Sequence, residues 1–264
     1  MAIPVNMKLA SAIVAIGLAS SVGGAAHANS FTNGYFSSNG GNGQFNYNTY
    51  ATGWYVPGDS LSSYTFLFAN GSADTCCTYG VNNNVFELWG VNNGGPDQIT
   101  APPGGGAYFI GQDGDFRTEP IEQDITGLAI GMTYTVDFDY AFSQQQPFLG
   151  ATLQNWGVSL GDSVVQYTPT GTNPSHGFTG WFNDSFSFVA DNTAETLSFV
   201  AWGNLPVPPF ALLADVTFSQ EPQTPDLPGA VPEPATWALM GLGFAGLGFA
   251  AYRRRQGKDS ALKA

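Results

Sequence analysis

The chain has 264 residues, of which 43% are hydrophobic, 14% aromatic and only 10% charged, with a formal charge of −13. Lys8 precedes position 29, and Arg253, Arg254, Arg255, Lys258 and Lys263 follow position 252, so Arg117 alone faces the 18 Asp and Glu of residues 29–230, a formal −17. That excludes nucleic-acid binding, which needs Lys and Arg to neutralise phosphates, and two His with two Cys leave too few ligands for a zinc site.

The N-terminus has the organisation of an export signal. Met1 to Lys8 holds one Lys, Leu9 to Ser20 is almost wholly apolar or small, and Ala26-His27-Ala28 has the A-x-A form of a cleavage site. These features predict a secretory signal peptide over residues 1–28, cut by signal peptidase after Ala28, with Asn29 the first mature residue. A retained anchor is the alternative, but the apolar run is short for a span.

Residues 29–220 are enough for one large β domain with its own core. Within "MTYTVDFDYAF", Tyr134, Val136, Phe138, Tyr140 and Phe142 alternate with Thr133, Thr135, Asp137 and Asp139. That pattern predicts a half-buried strand with a polar outer face. "NVFELWGV", "AYFIGQD", "EPIEQDIT", "TLQNWGVSLG", "DSFSFVA", "TLSFVAWG" and "LLADVTFS" read as further strands. "VNNGGPDQ", "APPGGG" and "GTNPSHG" separate them as turns, because Gly and Asn supply positive φ and Pro blocks pairing. No helix-length 3.6-residue period occurs in the body, so the expected fold is all-β, a single jelly-roll sandwich.

The pattern "FTNGYF…TGWYV", "ITGLAIGMTYTVDFDYAFS" and "FSFVADNTAETLSFVAWG…LLADVTFS" resembles the galactose-binding-like jelly rolls, which include carbohydrate-binding modules. The resemblance covers most of Phe31 to Ser219 and rests on strands and turns. It implies a structural Ca²⁺ held by acids of the first and last strands with backbone carbonyls. Here Ser37 and Ser38 follow Phe36 where the family has an acid, and Ala214 precedes Asp215 where a double Asp is common. Asp215, with the Asn33 region as partner, is the remaining candidate for calcium, which wants six to eight oxygen ligands.

Chemistry-bearing residues are sparse. Asp137 and Asp139 share a strand face but are read as solvent-facing, since glycosidase acids flank a bond in a cleft. "DGDFRTE", Asp113 to Glu119, is half a calcium loop without EF-hand spacing, and a loop bonded to Arg117 is the better reading. His176 has no nucleophile motif beside it, so no catalytic residue is assigned and the chain is expected not to be an enzyme. Adjacent Cys76 and Cys77 leave three readings open: a vicinal disulfide, two thiols, or an intermolecular link. Sugar rings stack their C–H faces on exposed aromatics, whereas core packing consumes most Trp in a β sandwich. Trp54, Trp89 and Trp202 are the candidate glycan contacts, Trp202 because it shares parity with Thr196 and Ser198.

The last segments concern sorting. A Pro-rich spacer over 221–231 leads to Pro232-Glu233-Pro234, then 18 uncharged residues from Ala235 to Tyr252, then Arg253, Arg254 and Arg255. At about 1.5 Å per residue that stretch makes a helix of roughly 27 Å, just enough to cross a bilayer core. Being apolar on all faces, it reads as one transmembrane helix, 235–252, with the arginines on the cytoplasmic side. "VPEP", an apolar segment and an Arg cluster in this order resemble the PEP-CTERM sorting domain of Gram-negative bacteria, placed here at 232–257. The resemblance implies recognition by an exosortase, a membrane-embedded transpeptidase-like enzyme, with loss of the span and export to the cell surface or matrix. Pro232, Glu233 and Pro234 would then be a recognition motif for another enzyme. The sequence as a whole predicts an exported surface or matrix protein that passes through the inner membrane, structural or adhesive, with weak binding to extracellular polysaccharide. Its rival is a secreted polysaccharide hydrolase.

Overall fold

The computed structural model describes residues 29–75, 78–204 and 207–222, with 242–245, 247 and 249. Gly24–Glu221 is one compact unit. Among the described residues, eleven strands and a 3₁₀ turn, Val81–Asn83, account for its regular structure. In chain order the strands are β1 (Gly43–Gln44), β2 (Thr65–Ala69), β3 (Tyr108–Asp113), β4 (Ile121–Thr126), β5 (Thr133–Gln144), β6 (Thr152–Leu160), β7 (Gln166–Tyr167), β8 (Gly171–Asn173), β9 (Phe182–Val189), β10 (Ala194–Gly203) and β11 (Pro209–Gln220).

Two antiparallel sheets form a sandwich. One runs β1-β2-β3-β11-β5-β9, the other β4-β10-β6-β7 with β8 also on β6. The all-β expectation holds, and most strands fall where alternation placed them. Between the sheets, Tyr134, Val136, Phe138, Tyr140 and Phe142 of β5 meet Leu197 and Phe199 of β10 and Trp156 and Val158 of β6.

The expected polar outer face of β5 is only half correct. From Phe138 to Gln144 every residue is buried, because residues 70–107 fold back over this face of the six-stranded sheet. Ala73, Phe86, Leu88 and Ile99 from that segment make a second core with Phe66, Phe68, Phe109, Phe210 and Leu212. Phe86 stacks on Phe66 with centroids 4.0 Å apart. Consequently "NVFELWGV" is not a strand. It forms only isolated bridges, Tyr79 with Val85 and Leu88 with Gln145, and its apolar residues serve as a lid.

Ala26 and Ala28, Cys76 and Cys77, and Pro232, Glu233, Pro234 and Arg253 to Arg255, to which the sequence assigns cleavage, disulfide and sorting roles, lie outside the described residues. Of the expected span 235–252, residues 242–245, 247 and 249 are helical and exposed. Among the described residues no helix is long and apolar enough to cross a membrane.

Candidate functional site

The tryptophans sort by the fate of their indole N–H. Trp54 is 4% exposed in the core and donates to the Asn33 carbonyl at 3.1 Å. Its burial corrects the expectation of a glycan contact, since no face is left for a sugar. Trp89 is half-buried, donates to the Phe148 carbonyl at 2.8 Å, and meets His176 edge-on at 4.4 Å. Trp156 and Trp181 likewise donate to the carbonyls of Leu212 and Thr100. Trp202 is 48% exposed. It stands on the outer face of the second sheet, where β10 pairs it with Asn155.

Asp215 has a different setting from the one expected. It occupies a bulge in β11 with φ 50°, and the register slips between Ala214 and Thr217. The Asn33 region does reach this bulge, but through backbone, the Val216 N–H donating to the Gly34 carbonyl. The Asn33 amide is committed instead to the Ser38 and Thr52 carbonyls. Asp215 neighbours Asp139, whose 6% exposure corrects its assignment to a solvent face. Gly106 N–H donates to Asp215 Oδ1, and Gly104 N–H and the Asn183 amide donate to Asp139. Burial first, then Asp139, push the Asp215 carboxyl above the usual range. Three of the four carboxyl oxygens therefore face N–H donors and only Asp215 Oδ2 is left without a partner, far short of a calcium shell. Among the described residues no group of three His, Cys, Asp or Glu could hold a metal. The set does not fit the calcium that the resemblance implied.

The end of the six-stranded sheet where β3 and β5 finish and β2 and β11 begin is more open. Tyr64, Asp113, Asp115, Phe116, Gln145, Phe148 and Pro208 line a cleft of about 530 Å³ there. Asp113 Oδ1 accepts from the N–H groups of Asp115 and Phe116 at 2.9 and 3.1 Å, closing a tight turn. Gly114 lets that turn press on the end of β10, since a Cβ there would lie 2.5 Å from the Gly203 nitrogen. The turn leaves Phe116 50% exposed, edge-on to Tyr64 at 5.7 Å. The Arg117 guanidinium lies over the Phe116 ring, 4.7 Å from its centroid, and the Arg117 carbonyl takes the Tyr64 N–H, so the loop is bonded to Arg117 through its backbone. Opposite, Phe148 is 43% exposed, its carbonyl pinned by the Trp89 indole.

Asp113 is 1% exposed, and among the described residues its Oδ2 has no hydrogen-bond donor. Burial pushes its carboxyl up to about 6, against the lowering effect of the two N–H bonds. Burial and Asp113 also raise the Tyr64 hydroxyl. Ser175 Oγ takes the Gly150 N–H at 2.9 Å and lies 3.4 Å from His176 Nδ1, while the His176 ring packs edge-on to Trp89. Phe116, within the Asp113–Glu119 loop, and Phe148 are site residues that strand alternation does not mark. The signal was two Phe inside polar turn segments, "DGDFRTE" and "QQQPFLG", where no alternation demands an apolar residue.

Residues 230–255 match the PEP-CTERM protein-sorting motif. This chain carries a PEP-CTERM sorting signal. The motif implies an exosortase as processing partner and sorting to the cell surface. Halomucin of Haloquadratum walsbyi is 31% identical over 144 residues, covering 50% of this chain and 1% of halomucin, so the chain spans a very small part of that relative. Jelly-roll carbohydrate-binding modules are among the similar solved structures. One described as "CBM4 structure and function" is 17% identical, covering 57% of this chain and 97% of its own, with a TM-score of 0.29. TmCBM61 in complex with beta-1,4-galactotriose is 14% identical over 61% of this chain and 92% of its own, again with a TM-score of 0.29.

Proposed function

We propose that this PEP-CTERM protein is an adhesive component of the cell surface or extracellular matrix, which holds glycan in the cleft between Phe116 and Phe148. The observation that carries the reading is two half-exposed phenylalanines facing a cleft that also presents Asp113, Asp115 and Gln145. Apolar rings suit the C–H faces of sugars, and carboxylate and amide oxygens suit their hydroxyls, the usual division of labour in a small-ligand site. Export proceeds through cleavage after Ala28, transit of the inner membrane on residues 235–252, and exosortase recognition of Pro232-Glu233-Pro234. Trp202 is a second surface for contact, on the other sheet.

A second reading, polysaccharide hydrolysis, is favoured by one observation. A buried carboxyl raised to about 6 beside an exposed carboxylate, Asp113 with Asp115, is the pairing that glycosidases use. Affinity electrophoresis against a polysaccharide panel, with reducing ends assayed in parallel, separates the two. Retardation without new reducing ends is expected. New reducing ends that vanish in Asp113→Asn would establish hydrolysis, and migration unchanged by every polysaccharide would overturn the glycan-binding reading.

A further inference from the structure

We infer that the cleft selects an amine-bearing, cationic glycan, such as a deacetylated hexosamine polymer, over neutral and uronic chains; this rests on the glycan reading above. The charge distribution excludes one class first. With Arg117 as its lone cation among 18 acids, the body repels uronic or sulfated polymers and concentrates cations near its surface. The cleft sharpens this. Asp113 is a buried wall residue whose Oδ2 has no donor from the described residues, and Asp115 adds a second carboxylate at the rim. Among the described residues no Lys, Arg or His bonds to Asp113, and the nearby Arg117 is turned onto the outer Phe116 ring.

An acceptor on the cleft wall that takes no donor from the protein is open to a ligand donor, and a charged donor gains more there than a hydroxyl. An ammonium on a sugar ring supplies that donor while the ring's C–H face lies on Phe116 or Phe148. The preference of these rings for cations has an internal precedent in Arg117 over Phe116. Burial first, with the charge of Asp115 adding to it, raises the proton affinity of Asp113.

The test titrates purified mature protein with glucosamine oligomers, their N-acetylated counterparts of equal length, and uronic oligomers. It is run at low salt and about pH 6.5, where Asp113, at about 6, is mostly ionised. The amine-bearing oligomer should bind at least about tenfold tighter than the acetylated one, with no uronic binding, and about 0.5 M salt should narrow the ratio. Asp113→Asn should bring the two affinities together, and Asp115→Asn, on the exposed rim, should reduce the ratio without disturbing the fold. Equal or tighter binding of the acetylated oligomer, or a ratio that survives both substitutions, overturns the inference. So does free glucosamine binding as tightly as the oligomer, which would reduce the effect to simple ion pairing. Acetylated binding that is lost in Phe116→Ala would leave the cleft reading standing while this inference fails. Binding indifferent to Phe116→Ala and Phe148→Ala would remove both.

Discussion

Asp113 is kept where an ionised carboxylate is disfavoured. Its carboxyl is raised from 3.8 to about 6 by burial, so the folded protein binds its proton more tightly than the unfolded chain does. The resulting stability is fully present below about pH 4 and is lost as pH rises through about 6, a difference of about 3 kcal/mol at neutral pH. Asn at this position can still accept the N–H groups of Asp115 and Phe116 without the charge. Asp113→Asn is therefore expected to raise Tm at pH 7.5 and to have little effect at pH 4. A Tm difference independent of pH would show that the carboxyl is not buried as described. At the same scale, Phe116→Ala and Phe148→Ala remove half-exposed rings, so each should weaken glycan binding about tenfold with Tm nearly unchanged. Trp202→Ala is the comparison. If it alone abolishes binding, the ligand lies on the outer face of the second sheet.

Among the elements, the segment 70–107 contributes most that alternation could not show. β5 carries a clean two-residue period, and its Tyr134 to Phe142 series points to the intersheet core as read. The same period made Asp139 look exposed, because periodicity reports which residues share a face and not what covers the other face. The cover comes from Phe86, Leu88 and Ile99, loop residues more than 30 positions away from the strands they sit on in β5 and β11. Deleting the Phe86 ring should cost about 3–5 kcal/mol, as for a strand core residue, although Phe86 belongs to no strand. A loss below about 1 kcal/mol in denaturant unfolding would mean that the lid is loose. The Gly104–Gly106 turn lies on the same face. A Cβ at Gly104 or Gly106 would lie 2.4 or 2.3 Å from an Asp215 carboxylate oxygen, so Ala at either should destabilise by about 1–3 kcal/mol. The last-strand acid is present as expected, and the bulge turns Asp215 toward these N–H groups. A chelator should leave Tm unchanged.

At the scale of the whole molecule, the sorting signal was legible because it is linear: a tripeptide, an apolar run and an Arg cluster in fixed order. The cleft was not, since its residues come from four separate strand ends and only the fold brings Tyr64, Asp113, Gln145 and Pro208 together. Changing Pro-Glu-Pro at 232–234 to Ala-Ala-Ala should hold the protein in the inner membrane, with an epitope after Lys263 still attached. Wild type in an exosortase-bearing host should lose that epitope. If it stays on surface-exposed protein, the segment is a plain anchor.

Export and glycan capture meet in the extracellular matrix, where one measurement addresses both. Wild type and the Phe116→Ala/Phe148→Ala double variant are expressed in an exosortase-bearing, exopolysaccharide-producing host, and the fraction of tail-processed protein retained in the washed matrix is compared. The account predicts equal export and processing, with wild type held in the matrix and the double variant in the wash. Equal retention of the two, or a wild type that washes out completely, would contradict it.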